Sequence, residues 1–283
     1  MAYDEHRGGP RTGRIVYPVL SRRAGGLSLG INLFPDAKRC TFDCPYCEVF
    51  PTTGGRPFSL AGLEAELDAC ARDFDASWGP VRDICLSGDG EPTLSPDFGA
   101  ALDLAADAKR RYPALFGPAK LVVITNCTGF LDGTVSALLA GRCDREGVEV
   151  WAKLDAGTEA LFSAMSRSSY TLAEIAAGIE TFAAFTPLVL QTMLCRLEGK
   201  SPTGAELDSW AGLVRGLVSR GARVTSIQFY TQARPSPHGM TAPLSDAELL
   251  AAAQACAAGI DLPFRVFGAG GTIGDFAGQG RLR

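Results

Sequence analysis

The sequence predicts an α/β protein folded as a partial (β/α)6 barrel, with parallel strands and outer helices. Short apolar runs alternate with segments of helical spacing about six times along the chain, a pattern that calls for a parallel sheet with right-handed crossovers. Six repeats fall short of the eight that close a (β/α)8 barrel. The sheet is therefore expected to stay open.

Taken in chain order, strands are expected at 27–33, 81–86, 120–125, 148–154, 188–194 and 224–230, with a late addition at 264–267. Between the first two, Ser59 is placed to cap a helix whose Leu60, Leu63, Leu67, Cys70 and Phe74 share one face, which makes Cys70 a core residue. Ser95 followed by Pro96 marks a further helix start. Thr171 with Glu174, Thr203 with Glu206 and Ser245 with Glu248 each fit a capping box, in which the two side chains satisfy backbone N–H groups that the helix leaves unpaired. No repeat, low-complexity tract or linker divides the chain. A single domain over 1–283 is expected, with a core of about 24–268, a basic N-terminal arm at 1–23 and a glycine-rich tail at 269–283 read as a flexible end.

With 283 residues, 46% hydrophobic and 20% charged, the chain can bury a substantial core, and extended disorder, collagen and coiled coil are excluded. No stretch long and uncharged enough to span a membrane is present, and residues 1–14 lack the apolar region of a signal peptide. A cytoplasmic protein without membrane contact is expected. The net charge of −4 is not the footprint of a nonspecific nucleic-acid binder. Locally, Arg22, Arg23 and the run Lys109-Arg110-Arg111 offer phosphate contacts.

Nine cysteines, an odd number, argue against a disulfide framework. Three of them fall within eight residues, Cys40-Thr-Phe-Asp-Cys44-Pro-Tyr-Cys47, and the other six are scattered singly. A structural zinc site wants four nitrogen or sulfur ligands in two close pairs, but the only histidines are His6 and His238 and no second cysteine pair exists. Asp43 and Pro45 make the loop a poor core segment. An iron–sulfur cluster suits it better: thiolates are the usual ligands, and this tight loop can reach three irons of one [4Fe–4S] cubane, leaving the fourth open to a small molecule. Cys40, Cys44 and Cys47 are thus the candidate metal ligands.

A second motif closes the strand at 81–86: Ser87-Gly88-Asp89-Gly90-Glu91-Pro92-Thr93. Glycines at a strand end let the backbone approach a ligand closely, and a carboxylate there can accept from an ammonium. Ligands of such sheets bind beyond the carboxyl ends of the strands. That places Asn126, Lys153, Asp155, Gln191, Cys195 and Arg234 at or after strand ends as further candidates.

The cysteine loop, with Tyr46 as the aromatic residue before its last cysteine, resembles that of the radical SAM superfamily, and the glycine-rich segment is similar to that superfamily's motif for the methionine amino group. Asp89 departs from the commoner Gly-Gly-Glu form. The resemblance implies a partial barrel of radical SAM type and a [4Fe–4S] cluster that binds S-adenosylmethionine at its open iron. It further implies an oxidoreductase reaction: reductive cleavage to a 5′-deoxyadenosyl radical that abstracts hydrogen from a substrate, fed by a one-electron reductant of flavodoxin or ferredoxin type. On this reading Tyr46, Gly88, Asp89, Gly90, Glu91, Asn126, Asp155 and Gln191 bind the cofactors, and Lys153 and Arg234 are catalytic.

The flanks Tyr17-Pro-Val-Leu-Ser-Arg22-Arg23, Ser28-Leu-Gly-Ile-Asn32, Lys153-Leu-Asp-Ala and Gln232-Ala-Arg234-Pro look like the bacterial branch grouped with wyosine synthases. That likeness implies a tRNA base as substrate and a lysine for ketoacid chemistry, for which Lys153, its pKa lowered by burial, is best placed. Wyosine synthases hold a second cluster through cysteines upstream of the main loop, whereas no cysteine precedes Cys40. Cys127 and Cys195 are candidates to face the cavity as hydrogen-atom donors, against a default of buried small hydrophobes. Two other readings stay open: an activase of a glycyl-radical enzyme, and a noncatalytic iron–sulfur protein for electron transfer or sensing. The glycine-rich loop argues against the latter, which has no need of an adenosylmethionine site.

Overall fold

The computed structural model describes residues 13–49, 54–277 and 281–282; residues 1–12 of the expected arm, His6 among them, lie outside these. The described backbone forms two compact units, the first from 13–41, 49, 54–125 and 137–150, the second from 42–48, 126–136, 151–277 and 281–282.

The first unit starts with β1 (Val16–Ser21) and β2 (Gly26–Ile31) and continues through α1 (Leu60–Arg72), β3 (Val81–Leu86), α2 (Phe98–Arg111), the short α3 (Pro113–Phe116) and β4 (Lys120–Thr125). Helix α4 (Gly133–Glu146) and strand β5 (Glu149–Lys153) carry the chain across the division between units. Within this unit the order is β1-β2-β3-β4. β2, β3 and β4 run parallel, as the repeat predicts, with Gly30 opposite Cys85 and Cys85 opposite Val122. β1 was not expected. It pairs antiparallel to β2 with Pro18 opposite Leu29; a proline and an only half-buried pattern hide an edge strand from a search for apolar runs.

Ser59 caps α1 as expected, its side chain accepting from Gly62 N, and Leu63 and Leu67 are fully buried. Cys70, near the last turn of that helix, is only half-buried rather than core. α2 begins later than Pro96 suggests: Asp97 stands at its N-cap, and Ser95 Oγ accepts from Asp97 N at 3.2 Å. The two arginines of the basic run on α2 are paired with acids, and its lysine with a backbone carbonyl, instead of being presented to phosphate. Lys109 donates to Ala119 O, Arg110 to Glu146, and Arg111 to Asp68 and Asp107.

In the second unit follow α5 (Glu159–Ser166), α6 (Leu172–Ala183), β6 (Leu188–Met193), β7 (Cys195–Leu197), α7 (Gly204–Ser219), β8 (Val224–Tyr230), β9 (Thr241–Pro243), α8 (Asp246–Ala257), β10 (Phe264–Gly268), β11 (Gly271–Ala277) and β12 (Arg281–Leu282). The sheet order is β5-β6-β8-β10-β11-β12, and β7 and β9 form a separate antiparallel pair. β6, β8 and β10 are parallel, with Gln191 opposite Gln228 and Met193 opposite Tyr230. All three expected capping boxes form, on α6, α7 and α8. Part of the glycine-rich tail is ordered into a strand: β11 pairs antiparallel to β10, Phe264 opposite Phe276, with an irregularity at Val266 and Phe267. Glycines read as flexible because they carry no packing signal, yet the backbone N–H and C=O groups of β10 give them a ladder to complete.

Phe229, Phe264 and Phe267 are fully buried in this unit, and Trp210 packs on Phe229 while its Nε1–H donates to Leu154 O at 2.9 Å. Burial of each such ring stabilises the fold by about 1.5–3 kcal/mol, and the indole donor is satisfied, so its burial carries no polar penalty. Among the described residues no helix is long and apolar enough to cross a membrane.

Candidate functional site

In the first unit the chain from β2 and the turn after β3 are stitched together by backbone and side chain. Ser87 N donates to Ile31 O at 3.1 Å, Arg39 N to Asp89 O at 2.9 Å and Glu91 N to Arg39 O at 2.8 Å, so that Arg39 and Gly90 form a parallel bridge. Cys40, exposed, follows directly. A Cβ at Gly90 would stand 1.8 Å from Arg39 O. Glycine there is a steric requirement of this bridge. Gly88 has φ +134°, and a Cβ on it would sit 2.7 Å from Asn32 Oδ1.

Asn32 and Asp89 make a closed pair: Asn32 Nδ2 donates to Asp89 Oδ2 at 2.8 Å, and Asp89 N donates back to Asn32 Oδ1 at 3.1 Å. Asp89, the residue by which this turn departs from Gly-Gly-Glu, is thus a braced carboxylate. Glu91 is buried, and its Oε1 accepts from Thr93 N, Thr93 Oγ1 and Thr125 Oγ1 at 3.2, 2.7 and 2.8 Å. Three donors on one carboxylate oxygen fix its rotamer and compensate the cost of burying it.

The second unit holds Cys44, Tyr46, Cys47, Asn126, Lys153, Asp155, Gln191 and Arg234. Cys47 N donates to Cys44 O at 2.9 Å, closing Cys44-Pro-Tyr-Cys47 into a β-turn that keeps its first and last residues within about 7 Å. Tyr46 is buried in a cluster with Met165, Met193, Cys195, Tyr230 and Phe267, and Cys44 packs against it.

Polar groups thread this cluster. Lys153 Nζ stands 2.9 Å from Asp155 Oδ1 and donates to Tyr230 OH, with its ammonium 5.0 Å from the Tyr46 ring centroid and 4.6 Å from that of Tyr230. Asp155 is served by three donors, since Tyr46 OH reaches its Oδ2 and Met193 N its Oδ1. Burial acts against the Lys153 charge, but Asp155 and then Tyr230 outweigh it and its pKa is raised. The expectation that burial lowers it is overturned by this pairing. Burial, then Asp155, pushes the Tyr46 phenol well above its usual range.

Gln191 Nε2 donates to Gln228 Oε1 at 2.7 Å, while Gln191 Oε1 has no hydrogen-bond partner among the described residues. Asn126 Oδ1 accepts from Thr128 N at 3.1 Å and Thr128 Oγ1 at 2.8 Å, an Asx-type turn. Arg234 is held by Glu48, its Nε 2.7 Å from Oε2. Cys127 is fully buried at φ +72° with Sγ 3.5 Å from Lys153 O. Cys195 is buried, and burial, with Asp155, pushes its thiol up to about 12.

Glu48 and Tyr230 escaped the sequence reading, and Asn32 entered it only as the end of a flanking run. Asn32 and Tyr230 occupy strand-end positions, at β2 and β8, and the rule that found Asn126 applies equally to them. Glu48 carried no such signal.

All nine cysteines are free of disulfides. Among the described residues no set of three or more His, Cys, Asp or Glu side chains forms a ready-made metal cage. What fits a cluster is the chemistry and local shape of the donors: unoxidised thiols, two of them at the ends of one closed turn and the third beside the glycine-rich bridge.

No family model matches the chain. Two curated relatives, each called UPF0026 protein, from Helicobacter pylori strains ATCC 700392 / 26695 and J99 / ATCC 700824, are 32% and 31% identical over 123 residues, 43% of this chain. The match spans 37% of the length of those relatives. Among solved structures, a radical SAM methyltransferase from Sphaerobacter thermophilus superposes with a TM-score of 0.61 at 16% identity, covering 95% of this chain and 73% of that one. SuiB from Streptococcus suis, bound to S-adenosylmethionine, gives 0.58 at 12% identity, covering 82% of this chain and 48% of SuiB. At these identities the likeness establishes the fold: an α/β partial barrel of radical SAM type, parallel strands with outer helices.

Proposed function

We propose that the protein is a radical SAM enzyme that holds a [4Fe–4S] cluster through Cys40, Cys44 and Cys47. The observation that carries this reading is the Arg39–Gly90 bridge, which joins the cysteine-bearing chain to the Gly88–Glu91 turn by paired backbone hydrogen bonds. An iron–sulfur protein that only relays electrons has no need of that turn. Bound there, the cluster would supply one electron to cleave S-adenosylmethionine and yield a 5′-deoxyadenosyl radical.

The chain's own residues bind and orient. Gly88 and Gly90 bring backbone against the ligand, and Glu91, its Oε1 locked by Thr93 and Thr125, accepts from the methionine ammonium. Tyr46, Asn126, Asp155 and Gln191 belong to the same cofactor-binding set, with Gln191 Oε1 as an unused acceptor. Lys153, paired with Asp155 and Tyr230, suits a role as substrate anchor; a nucleophilic lysine needs the neutral form, which this pairing disfavours. This speaks against ketoacid capture of the wyosine type, and the acid-paired Arg110 and Arg111 lend a tRNA substrate no support. A one-electron donor of flavodoxin or ferredoxin type and a cytoplasmic setting complete the proposal.

The test is anaerobic reconstitution with iron and sulfide, followed by reduction with S-adenosylmethionine present. Release of 5′-deoxyadenosine, lost when Cys40, Cys44 and Cys47 are all changed to alanine, is the expected result. A stable cluster that never cleaves the cofactor overturns the enzymatic reading in favour of a relay or sensor.

A further inference from the structure

Within the second unit, the segment after β8 is fastened to the cysteine turn at several points. Arg234 grips Glu48, the residue after Cys47, with N at 3.3 Å from Oε1, and Nε and Nη2 at 2.7 and 2.5 Å from Oε2. Ser236 Oγ and Thr241 Oγ1 both donate to Pro45 O, at 2.5 and 3.3 Å. His238 Nε2 stands 3.3 Å from Asp43 Oδ1, and Asp43 N donates to Ser166 O at 2.8 Å. The far end of the segment is itself anchored, because β9 pairs with β7 and Leu244 N donates to Thr231 Oγ1 at 2.9 Å. Residues 43–48 are thus held over their whole length, and the side chains at Glu48 and Arg234 are only about one-fifth exposed.

We propose that the 234–241 segment is a strap that sets the Cys44–Cys47 turn, and that the Arg234–Glu48 pair tunes the reduction potential of the cluster bound there. This rests on the cluster reading above. Arg234 is then a positioning residue. The physical basis is charge: a cluster gains negative charge on reduction, and net charge beside it is one of the determinants of its potential. The Glu48 carboxylate lies one residue from a ligand, and the guanidinium neutralises it through a two-point grip that lysine does not reproduce. Removing the guanidinium leaves a bare carboxylate beside the thiolate, which makes reduction harder. Removing the carboxylate leaves a cation, which makes it easier.

The experiment uses the full chain in two forms. In the reconstituted protein, Arg234→Gln is expected to shift the midpoint potential to more negative values, Glu48→Gln to more positive values, and the double variant to return near the parent. A purely structural role for the pair would show no such opposed signs. In the metal-free protein, hydrogen exchange at residues 43–48 is expected to quicken about tenfold in Arg234→Gln, the loss of roughly one charge-assisted contact, and severalfold in Ser236→Ala, the loss of one neutral hydrogen bond. Equal potentials across the set, or shifts of the same sign, overturn the tuning; unchanged exchange in both variants overturns the strap. Should the parent take up no iron, the cluster reading fails by itself, and the exchange comparison still decides whether the strap exists.

Discussion

At Gly90 a single hydrogen atom separates a formed bridge from a collision. A methyl group there meets Arg39 O at 1.8 Å, and the obstacle is backbone, which cannot swing aside as a side chain would. Gly90→Ala is expected to break the Arg39–Gly90 pairing, to cost several kcal/mol as a strained and partly unsatisfied backbone, and to abolish S-adenosylmethionine binding in a direct titration. Retention of affinity would detach this turn from the cofactor. A second residue-scale expectation concerns the largely buried Lys153–Asp155 pair, with side chains 12% and 11% exposed. Lys153→Met leaves the carboxylate without its cation and should destabilise the chain by about 3 kcal/mol in denaturant unfolding; adding Asp155→Asn should recover much of that loss. At this scale the sequence was informative wherever chemistry is local, as in the cysteine spacing and the glycine turn. It was misleading at Lys153, where burial was legible but the partner two residues on was not weighed against it.

Elements were legible in proportion to how much of their signal is carried by contiguous residues. The capping boxes on α6, α7 and α8 formed as written, because each needs only an N-cap hydroxyl and a glutamate three residues later. Thr203→Ala should therefore lower stability by about 1 kcal/mol, read as a shift in the denaturant midpoint with unchanged slope. Strands β3, β4 and β8 fell on the expected residues, since fully buried parallel strands are near-continuous apolar runs. β1 and β11 did not announce themselves. Both are antiparallel neighbours at the flanks of the parallel strands, where pairing is decided by a partner distant in sequence and the local text is proline or glycine.

For the molecule as a whole, stability against pH is expected to carry the mark of Asp83. This aspartate is buried in β3, and burial raises its carboxyl to about 6, against weaker opposing help from Ser28 and Arg23. An acid whose folded pKa is raised favours folding while protonated, so stability should fall as pH climbs from about 4 to about 6 and then level off. The shift corresponds to at most roughly 3 kcal/mol. Asp83→Asn should flatten that limb in unfolding experiments taken across the window; an unaltered slope would assign the titration elsewhere.

The strand built from the glycine-rich tail has a bearing on how copies of this chain behave toward one another. β10 lies between β8 and β11, with Phe264, Val266 and Phe267 all fully buried. Were β11 peeled away or cut off after Gly268, an apolar strand would offer a row of open backbone donors and acceptors to any neighbour, the template from which sheet-to-sheet aggregation starts. Strand β11, itself paired at its far end by β12, then acts as a guard: it occupies the side of β10 along which the protein would otherwise stick to itself.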